Sequence, residues 1–171
     1  VGVGVTSAGG TGTLYIDKTD DNYGIGEGLT FHADAEDNIA IGENALNDTN
    51  TAALKNVGIG TSALTELKSG GLNVAVGSHS MIAADGAESQ NTVLGAYAGT
   101  AIDDNSSASN VLLGYYAGQG GAAAMIGCIA IGANAMDSTA AAAQTGTVAI
   151  GQSALTALTT GTQNTAIGYQ A

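Results

Sequence analysis

The chain repeats one short pattern of apolar, small and polar positions from residue 38 to its end. Each copy begins with a polar or small residue, most often Asn, and continues with two larger residues separated by a small one and then a Gly, as in NIAIG and NTAIG. This glycine recurs at Gly42, Gly60, Gly77, Gly95, Gly114, Gly132, Gly151 and Gly168. The spacings between these glycines are 18, 17, 18, 19, 18, 19 and 17 residues. We number each repeat from its first residue as position zero, so that the glycine is position four.

Each motif has the alternation of a short strand that ends in a bend. Positions one and three carry Ile, Val, Leu or Thr, and residues two apart lie on the same face of a strand. Position two faces the other way and is small in most copies. The Gly allows the chain to turn at once, because glycine reaches positive φ without a steric penalty. A second apolar patch begins at position seven, which is Ala in nearly every copy.

A unit of about 18 residues is too short to bury its own apolar face and must stack on its neighbours. The pattern therefore predicts an all-β fold, a parallel β-solenoid or β-roll with one repeat per coil and neighbouring strands about 4.8 Å apart. Position-zero Asn side chains would form a hydrogen-bonded ladder, with Cys128 as a small buried substitute. A helical solenoid is disfavoured by the Gly in every unit and by the β-branched residues two apart.

The repeats divide the chain into two parts. Residues 38–171 are predicted to form a solenoid of eight repeats, and residues 1–37 an N-terminal cap or lead-in segment with a hairpin that turns at 20–22. Because both ends look like cuts, we interpret the sequence as a fragment of a longer chain. The looser segments 83–90, 101–109 and 138–146 are expected on an outward arc, where insertions are tolerated.

Each strand has apolar residues on both faces, positions one and three on one face and position two on the other, and a thin coil cannot bury both faces. If one set lines the interior of the coil, the other needs a partner surface, and three-fold packing of identical chains would supply it. The alternation alone leaves open which set faces inward.

Composition and charge narrow the function classes. The net charge of −12 disfavours nucleic acid, because three Lys and no Arg cannot neutralise a row of phosphates. It equally disfavours an anionic membrane surface. Residues 106–136 carry no charge, but they are rich in Gly and Ala and the repeat runs through them, so no membrane insertion is predicted.

The motifs NTAIGYQA, NVAVG, CIAIGANAM and TVAIGQSAL resemble repeats of two protein groups: the head domains of trimeric autotransporter adhesins and the tail fibres of bacteriophages. The resemblance covers about residues 38–171. The adhesin repeat is shorter and usually has an extra residue after its Asn, which favours the phage-fibre side. What the resemblance implies is a left-handed parallel β-roll, three chains around one axis, and a role in surface attachment.

Tyrosines just past the glycine corner are the candidate ligand contacts. Tyr97 and Tyr116 occupy the same position in adjacent repeats, and Tyr115 and Tyr169 share another position three coils apart. Aromatic residues are favoured at contact surfaces. These side chains would either offer flat faces to a sugar or pack in the groove between chains.

The adjacent carboxylates and the two histidines are interpreted as structural or solvent-exposed residues rather than as functional groups. The adjacent carboxylates are Asp20–Asp21, Glu36–Asp37 and Asp103–Asp104. Hydrolysis of a glycosidic bond needs two carboxylates on either side of that bond, and two adjacent residues do not reach this arrangement. The loops that carry these pairs also lack a complete set of Ca²⁺ ligands. His32 and His79 have no ligand partners at metal spacing. We predict no catalytic residue, no metal site, no cofactor and no enzymatic activity.

The first functional hypothesis is a structural and adhesive segment of a homotrimeric fibre, a bacteriophage tail fibre involved in host attachment. Its partners would be adjoining fibre or baseplate proteins and a host surface glycan or receptor, and its location the virion. The second is the head of a bacterial trimeric adhesin at the cell surface. The third is a tailspike-like enzyme that degrades glycans.

Overall fold

The computed structural model describes residues 32–33, 38–47, 53–100, 102, 104, 106–120, 123–138 and 143–171. Regular structure in this part of the chain consists of short strands and turns, without a helix. The strands are β1 (His32–Ala33), β2 (Ile39–Ile41), β3 (Val57–Ile59), β4 (Val74–Val76), β5 (Thr92–Leu94), β6 (Val111–Leu113), β7 (Met125–Ile126), β8 (Ile129–Ile131), β9 (Gln144–Thr145), β10 (Val148–Ile150) and β11 (Thr165–Ile167).

Successive motif strands pair in parallel and in register. The main sheet has the order β1-β2-β3-β4-β5-β6-β8-β10-β11 in the described residues. Position one pairs with position one, as in Ile39 with Val57, and position three with position three, as in Ile41 with Ile59. Strands β7 and β9 pair in parallel on a second face of the coil. The predicted parallel β-solenoid with coils of about 18 residues is therefore confirmed.

The lead-in part of the chain lies almost wholly outside the described residues. Strand β1 pairs antiparallel with β2, which places this short piece against the first coil. The predicted hairpin with its turn at 20–22, and with it most of the predicted cap, falls on residues that the structure does not describe.

Position two lines the interior of the coil. Ala40, Ala75, Val93, Leu112 and Ala130 at this position are all fully buried. Positions one and three are half-buried or exposed on every motif strand of the described chain. The structure thus decides what the alternation left open, and it places the small set inside.

Small residues suffice inside because the opposite wall of the coil supplies the bulk. Position eight turns a large side chain inward in most coils, and Leu64, Met81 and Met136 are completely buried there. In two adjacent coils the large and the small residue exchange places. They carry Val93 and Leu112 at position two, and Gly99 and Gly118 at position eight. The volume of the interior is preserved because the large residue crosses from one wall to the other.

The segments expected on an outward arc contribute to the interior, so that expectation is wrong for part of each. Ala84, Glu88, Ile102, Ser107 and Gln144 lie in these segments and are buried. After the corner the chain must return to the start of the next strand to close the coil. On this return path some side chains point inward and are buried in the core.

The corners rest on left-handed backbone. The motif glycines have φ between 126° and 148°. Position six is also left-handed, although no glycine occurs there: His79, Tyr97 and Tyr116 have φ of 58°, 58° and 55°. The amide of each of these residues donates to a position-five carbonyl one coil earlier, for example Tyr97 to Ser78 at 2.9 Å. A bond to the neighbouring coil offsets the local strain, which is about 1–2 kcal/mol for an L-residue.

The predicted Asn ladder is present. Asn73 lies fully buried, and its side-chain amide donates to Oδ1 of Asn56 at 3.0 Å and to the carbonyl of Glu88 at 2.7 Å. Its own Oδ1 accepts from the backbone and side-chain amides of Asn91 at 3.0 and 3.1 Å. The same pattern links Asn38 to Asn56 and Asn91 to Asn110. Asn56, Asn73, Asn91 and Asn110 thus each donate to the Asn of the preceding coil and to a backbone carbonyl near the end of their own repeat, so these buried amides are satisfied.

The ladder stops at Cys128. This buried thiol follows Asn110, whose Oδ1 accepts from the backbone amide of Cys128 at 2.8 Å. Beyond it, Oγ1 of Thr147 is buried without a hydrogen-bond partner in the described part of the chain. Desolvation raises the pKa of the Cys128 thiol. The thiol therefore packs as a neutral side chain, as the sequence predicted.

We expect Cys128→Asn to stabilise the protein by about 1 kcal/mol, the usual net value of one buried hydrogen bond. An Asn at this position would donate to Oδ1 of Asn110 and to the carbonyl of Gln144, which lies three residues before Thr147 as Glu88 lies before Asn91. Urea denaturation followed by circular dichroism measures the change. Cys128→Ser serves as the control, because a hydroxyl cannot reach both partners, and an equal gain in both variants would contradict the ladder explanation.

Candidate functional site

The outer face of the main sheet is a continuous apolar surface, which we call the outer ribbon. It consists of positions one and three of the eight parallel motif strands. Position one contributes Ile39, Val57, Val74, Thr92, Val111, Ile129, Val148 and Thr165. Position three contributes Ile41, Ile59, Val76, Leu94, Leu113, Ile131, Ile150 and Ile167. The outer ribbon contains no charged side chain.

Several side chains of the outer ribbon are unusually exposed for large apolar residues. Ile39 is 48% exposed, Leu94 52% and Ile167 68%. Parallel sheets in proteins nearly always have both faces covered, and contiguous apolar patches of this kind mark interaction surfaces. Within the described residues, the coil covers the inner face of this sheet and nothing covers the outer face, so the outer ribbon is an apolar surface without a partner in this part of the chain.

A second feature lies past the glycine corner, where aromatic side chains of successive coils stack. The rings of His79 and Tyr97 are parallel to within 14° with centroids 5.0 Å apart, and those of Tyr97 and Tyr116 to within 12° at 5.0 Å. The separation follows from the strand spacing of the solenoid. Nδ1 of His79 also hydrogen-bonds Oγ of Ser78 at 2.7 Å. We call these three residues the aromatic column.

Among the candidates from the sequence, the structure brings Tyr97, Tyr115 and Tyr116 together and leaves Tyr169 apart. Tyr115 meets Tyr116 edge to face at 4.4 Å and 81°, and Tyr97 at 6.2 Å and 88°. Both faces of Tyr97 are covered by its column neighbours. The exposed rings are those of Tyr115 and Tyr169, at 53% and 69%. Sequence reasoning missed His79 as a column member, although its place at position six was the available signal.

One carboxylate belongs to this corner. Removal of water raises the pKa of Tyr116, and the hydrogen bond and charge of Tyr115, with the charges of Tyr97 and Asp137, raise it further. Desolvation also raises the pKa of Asp137, whose Oδ1 is shielded from solvent and finds no hydrogen-bond partner in the described residues.

The remaining candidates do not assemble into a site where the structure describes them. Oδ1 of Asp104 accepts from the backbone amide of Ser106 at 2.9 Å, a local turn bond. The pairs Asp20–Asp21 and Glu36–Asp37, together with Asp103, lie outside the described residues. Within the described part, no group of three His, Cys, Asp or Glu side chains is placed to hold a metal ion. Nor do the described residues form a helix of the length and hydrophobicity that a membrane crossing requires.

Comparison with known proteins adds no assignment, since neither a family model, a curated protein nor a solved structure matches this chain.

Proposed function

We propose that this chain is a structural and adhesive segment of a homotrimeric fibre that serves in attachment to a host surface. The observation that carries the proposal is the outer ribbon, an uncharged apolar strip that runs along the whole described solenoid. A rod with one apolar side is a building element that needs lateral partners.

A second copy of the same chain is the partner that fits best. The outer ribbon repeats with the rise of the coil, so its partner must present apolar groups at the same rise over the same length. An identical solenoid meets this requirement, and rotational symmetry closes such an assembly. The number three rests on the resemblance to adhesin heads and phage fibres.

The resemblance also supports the setting, a bacteriophage tail fibre on the virion, with adjoining fibre or baseplate proteins as further partners. The head of a bacterial trimeric adhesin at the cell surface is the alternative. The reading frame on both sides of this sequence distinguishes them: a membrane-anchor strand set downstream identifies the adhesin, and a chaperone domain identifies the fibre. We propose no enzymatic activity, and we expect incubation with bacterial capsular polysaccharide to leave its viscosity unchanged.

Light scattering tests the assembly, and we expect a mass of three times 16.5 kDa for this chain. Leu94→Glu should weaken assembly by about 3 kcal/mol per chain, roughly hundredfold, because it buries an unpaired charge next to its symmetry copies.

Leu72→Glu is a matched control, because Leu72 is equally exposed at 55% but lies outside the outer ribbon. We expect this variant to assemble as the parent does. A monomeric parent chain would refute the trimer, and equal effects of both substitutions would refute the outer ribbon as its interface.

A further inference from the structure

Position nine of the repeat carries Thr in three coils, and each of these hydroxyl groups has the same kind of partner. Every one of them donates to the backbone carbonyl of a position-six residue, the left-handed residue of the corner. The three bonds are Thr100 to Tyr97 at 3.3 Å, Thr156 to Ser153 at 3.0 Å, and Thr65 to Asn44 of the preceding coil at 2.9 Å. A hydroxyl at position nine thus provides the corner carbonyl with a donor.

The backbone does not supply this donor. In the described part of the chain, no backbone amide donates to the carbonyl of Tyr97, Ser153 or Asn134. A backbone carbonyl without such a bond must be satisfied by a side chain or by water. Tyr97 and Ser153 have the hydroxyl of their position-nine Thr, whereas the coil of Asn134 has no Thr at position nine.

Asp137 occupies position nine in the coil of Asn134. The chain approaches it as it approaches the threonines: the residue before Asp137 has φ of 51°, and the residues before Thr100 and Thr156 have φ of 60° and 48°. An ionised carboxylate has only acceptor oxygens, whereas a protonated carboxyl group has one O–H donor. Asp137 can therefore take the role of the Thr hydroxyl only when it carries a proton.

The surroundings of Asp137 disfavour the ionised form. Its Oδ1 is shielded from solvent and accepts no hydrogen bond in the described residues. Desolvation raises the pKa of this carboxyl above its ordinary value. A carboxylate here would carry a charge that nothing compensates, beside a carbonyl oxygen that also needs a donor.

No other ionised side chain confuses the titration of Asp137. It is the only charged side chain in residues 105–171. The preceding coil presents the phenol of Tyr116, whose pKa is raised by desolvation and, less strongly, by the charges of neighbours that include Asp137. The following coil presents Thr156 at the same position. Because a phenol is neutral in the acidic to neutral range, Asp137 is the group that changes charge there.

We propose that Asp137 is a pH-sensitive hydrogen-bond donor of the sixth corner: with a proton taken from solvent, its O–H donates to the carbonyl of Asn134, and ionisation removes this bond. The pKa of Asp137 is higher in the folded chain than the unfolded value of about 3.9. The stabilisation is therefore complete below the unfolded pKa and is lost as the pH rises through the folded pKa. This device does not depend on the proposed role in attachment.

Urea denaturation of the parent, Asp137→Thr and Asp137→Val between about pH 4 and pH 7, at one chain concentration, tests the proposal. Thr restores the donor, and Val has the same shape without it; Thr65 and Ile82 show that position nine accepts both kinds of side chain. At neutral pH we expect the unfolding equilibrium constant of the Thr variant to be about fivefold smaller than that of the Val variant, the effect of one hydrogen bond. The parent should be less stable than the Thr variant at neutral pH and should approach it as the pH falls.

Glu66→Gln is the control for the loss of one carboxylate, because Glu66 is exposed at position ten of its coil. We expect its stability to follow the pH dependence of the parent. A carbon-13 NMR titration of the Asp137 carboxyl group in the parent needs no variant, and its midpoint should lie above the ordinary value of about 3.9.

Three results would each overturn the proposal. Equal stability of the Thr and Val variants at neutral pH would show that desolvation acts without the hydrogen bond. A difference between the parent and the Thr variant that stays constant with pH would show that ionisation of Asp137 is not involved. A carboxyl titration at the ordinary value would remove the protonated donor from the range in which the chain was tested.

Discussion

Gly77→Ala should destabilise the protein by about 4 kcal/mol, from forced overlap in a packed region and strained backbone together. Gly77 has φ of +137°, and a Cβ on it would lie 2.5 Å from the carbonyl carbon and oxygen of Gly95. The next coil cannot retreat, because the amide of Gly95 donates to the carbonyl of Val76 at 2.8 Å and the strands on both sides are paired.

This substitution should also divide the solenoid. Each coil contacts only its neighbours, so a weak junction uncouples the coils before it from those after it. Hydrogen exchange should show faster exchange in β3 and β4 than in β8 and β10, and urea denaturation followed by circular dichroism should lose its single transition.

Gly127→Ala is the control for this prediction. Gly127 also has positive φ, +62°, but a Cβ added to it would meet nothing within 4 Å, and the equivalent Leu72 and Ser109 carry side chains at φ of 61° and 59°. We expect a loss of about 1 kcal/mol. If the two alanine variants were equally stable, the close approach of successive corners would not be the reason for the glycine.

Leu112→Ala and Gly118→Leu should each destabilise the chain, and the double variant should be more stable than their sum predicts. Leu112→Ala leaves a cavity worth about 3 kcal/mol. Gly118→Leu alone overpacks the coil by about 2 kcal/mol or more, because a Cβ there would meet Cδ2 of Leu112 at 2.5 Å. Together the two changes restore the arrangement of the other coils, in which Leu or Met at position eight lies over Ala or Gly at position two.

A double-mutant cycle in urea measures this coupling, for which we expect about 2 kcal/mol. The pair Leu112→Ala with Gly127→Ala is the matched control, since the two residues share no interior space and their effects should add. Additive losses in the first pair would show that bulk at positions two and eight is not exchanged.

The regular part of the fold could be predicted because the same motif occurs eight times at nearly constant spacing. Any one motif, such as NVGIG at 56–60, fits several structures, but a period near 18 with Asn at position zero leaves parallel stacking as the simplest way to cover each unit. The Asn ladder followed, since equal positions must form columns. The buried residues of the connecting segments, such as Glu88 and Ile102, could not be predicted because those segments do not repeat.

The aromatic corner could be predicted only in part. Equal repeat positions identify Tyr97 and Tyr116 as neighbours in space. The ring of Tyr115 belongs to another column, position five, so the period alone does not predict that it stands perpendicular to Tyr97 and Tyr116.

The sequence by itself determined the coil length, the parallel pairing, the glycine corners and the Asn column. Each of these is a periodic property, and in a solenoid equivalent positions of successive repeats become neighbours in space. Only the tertiary structure decided which strand face is inside. Alternation of period two shows which side chains share a face, but it does not say which face is buried. The space inside is limited by the opposite wall, where Leu64 and Met81 already fill it. The small residues therefore turn inward, and the large apolar residues form the outer ribbon.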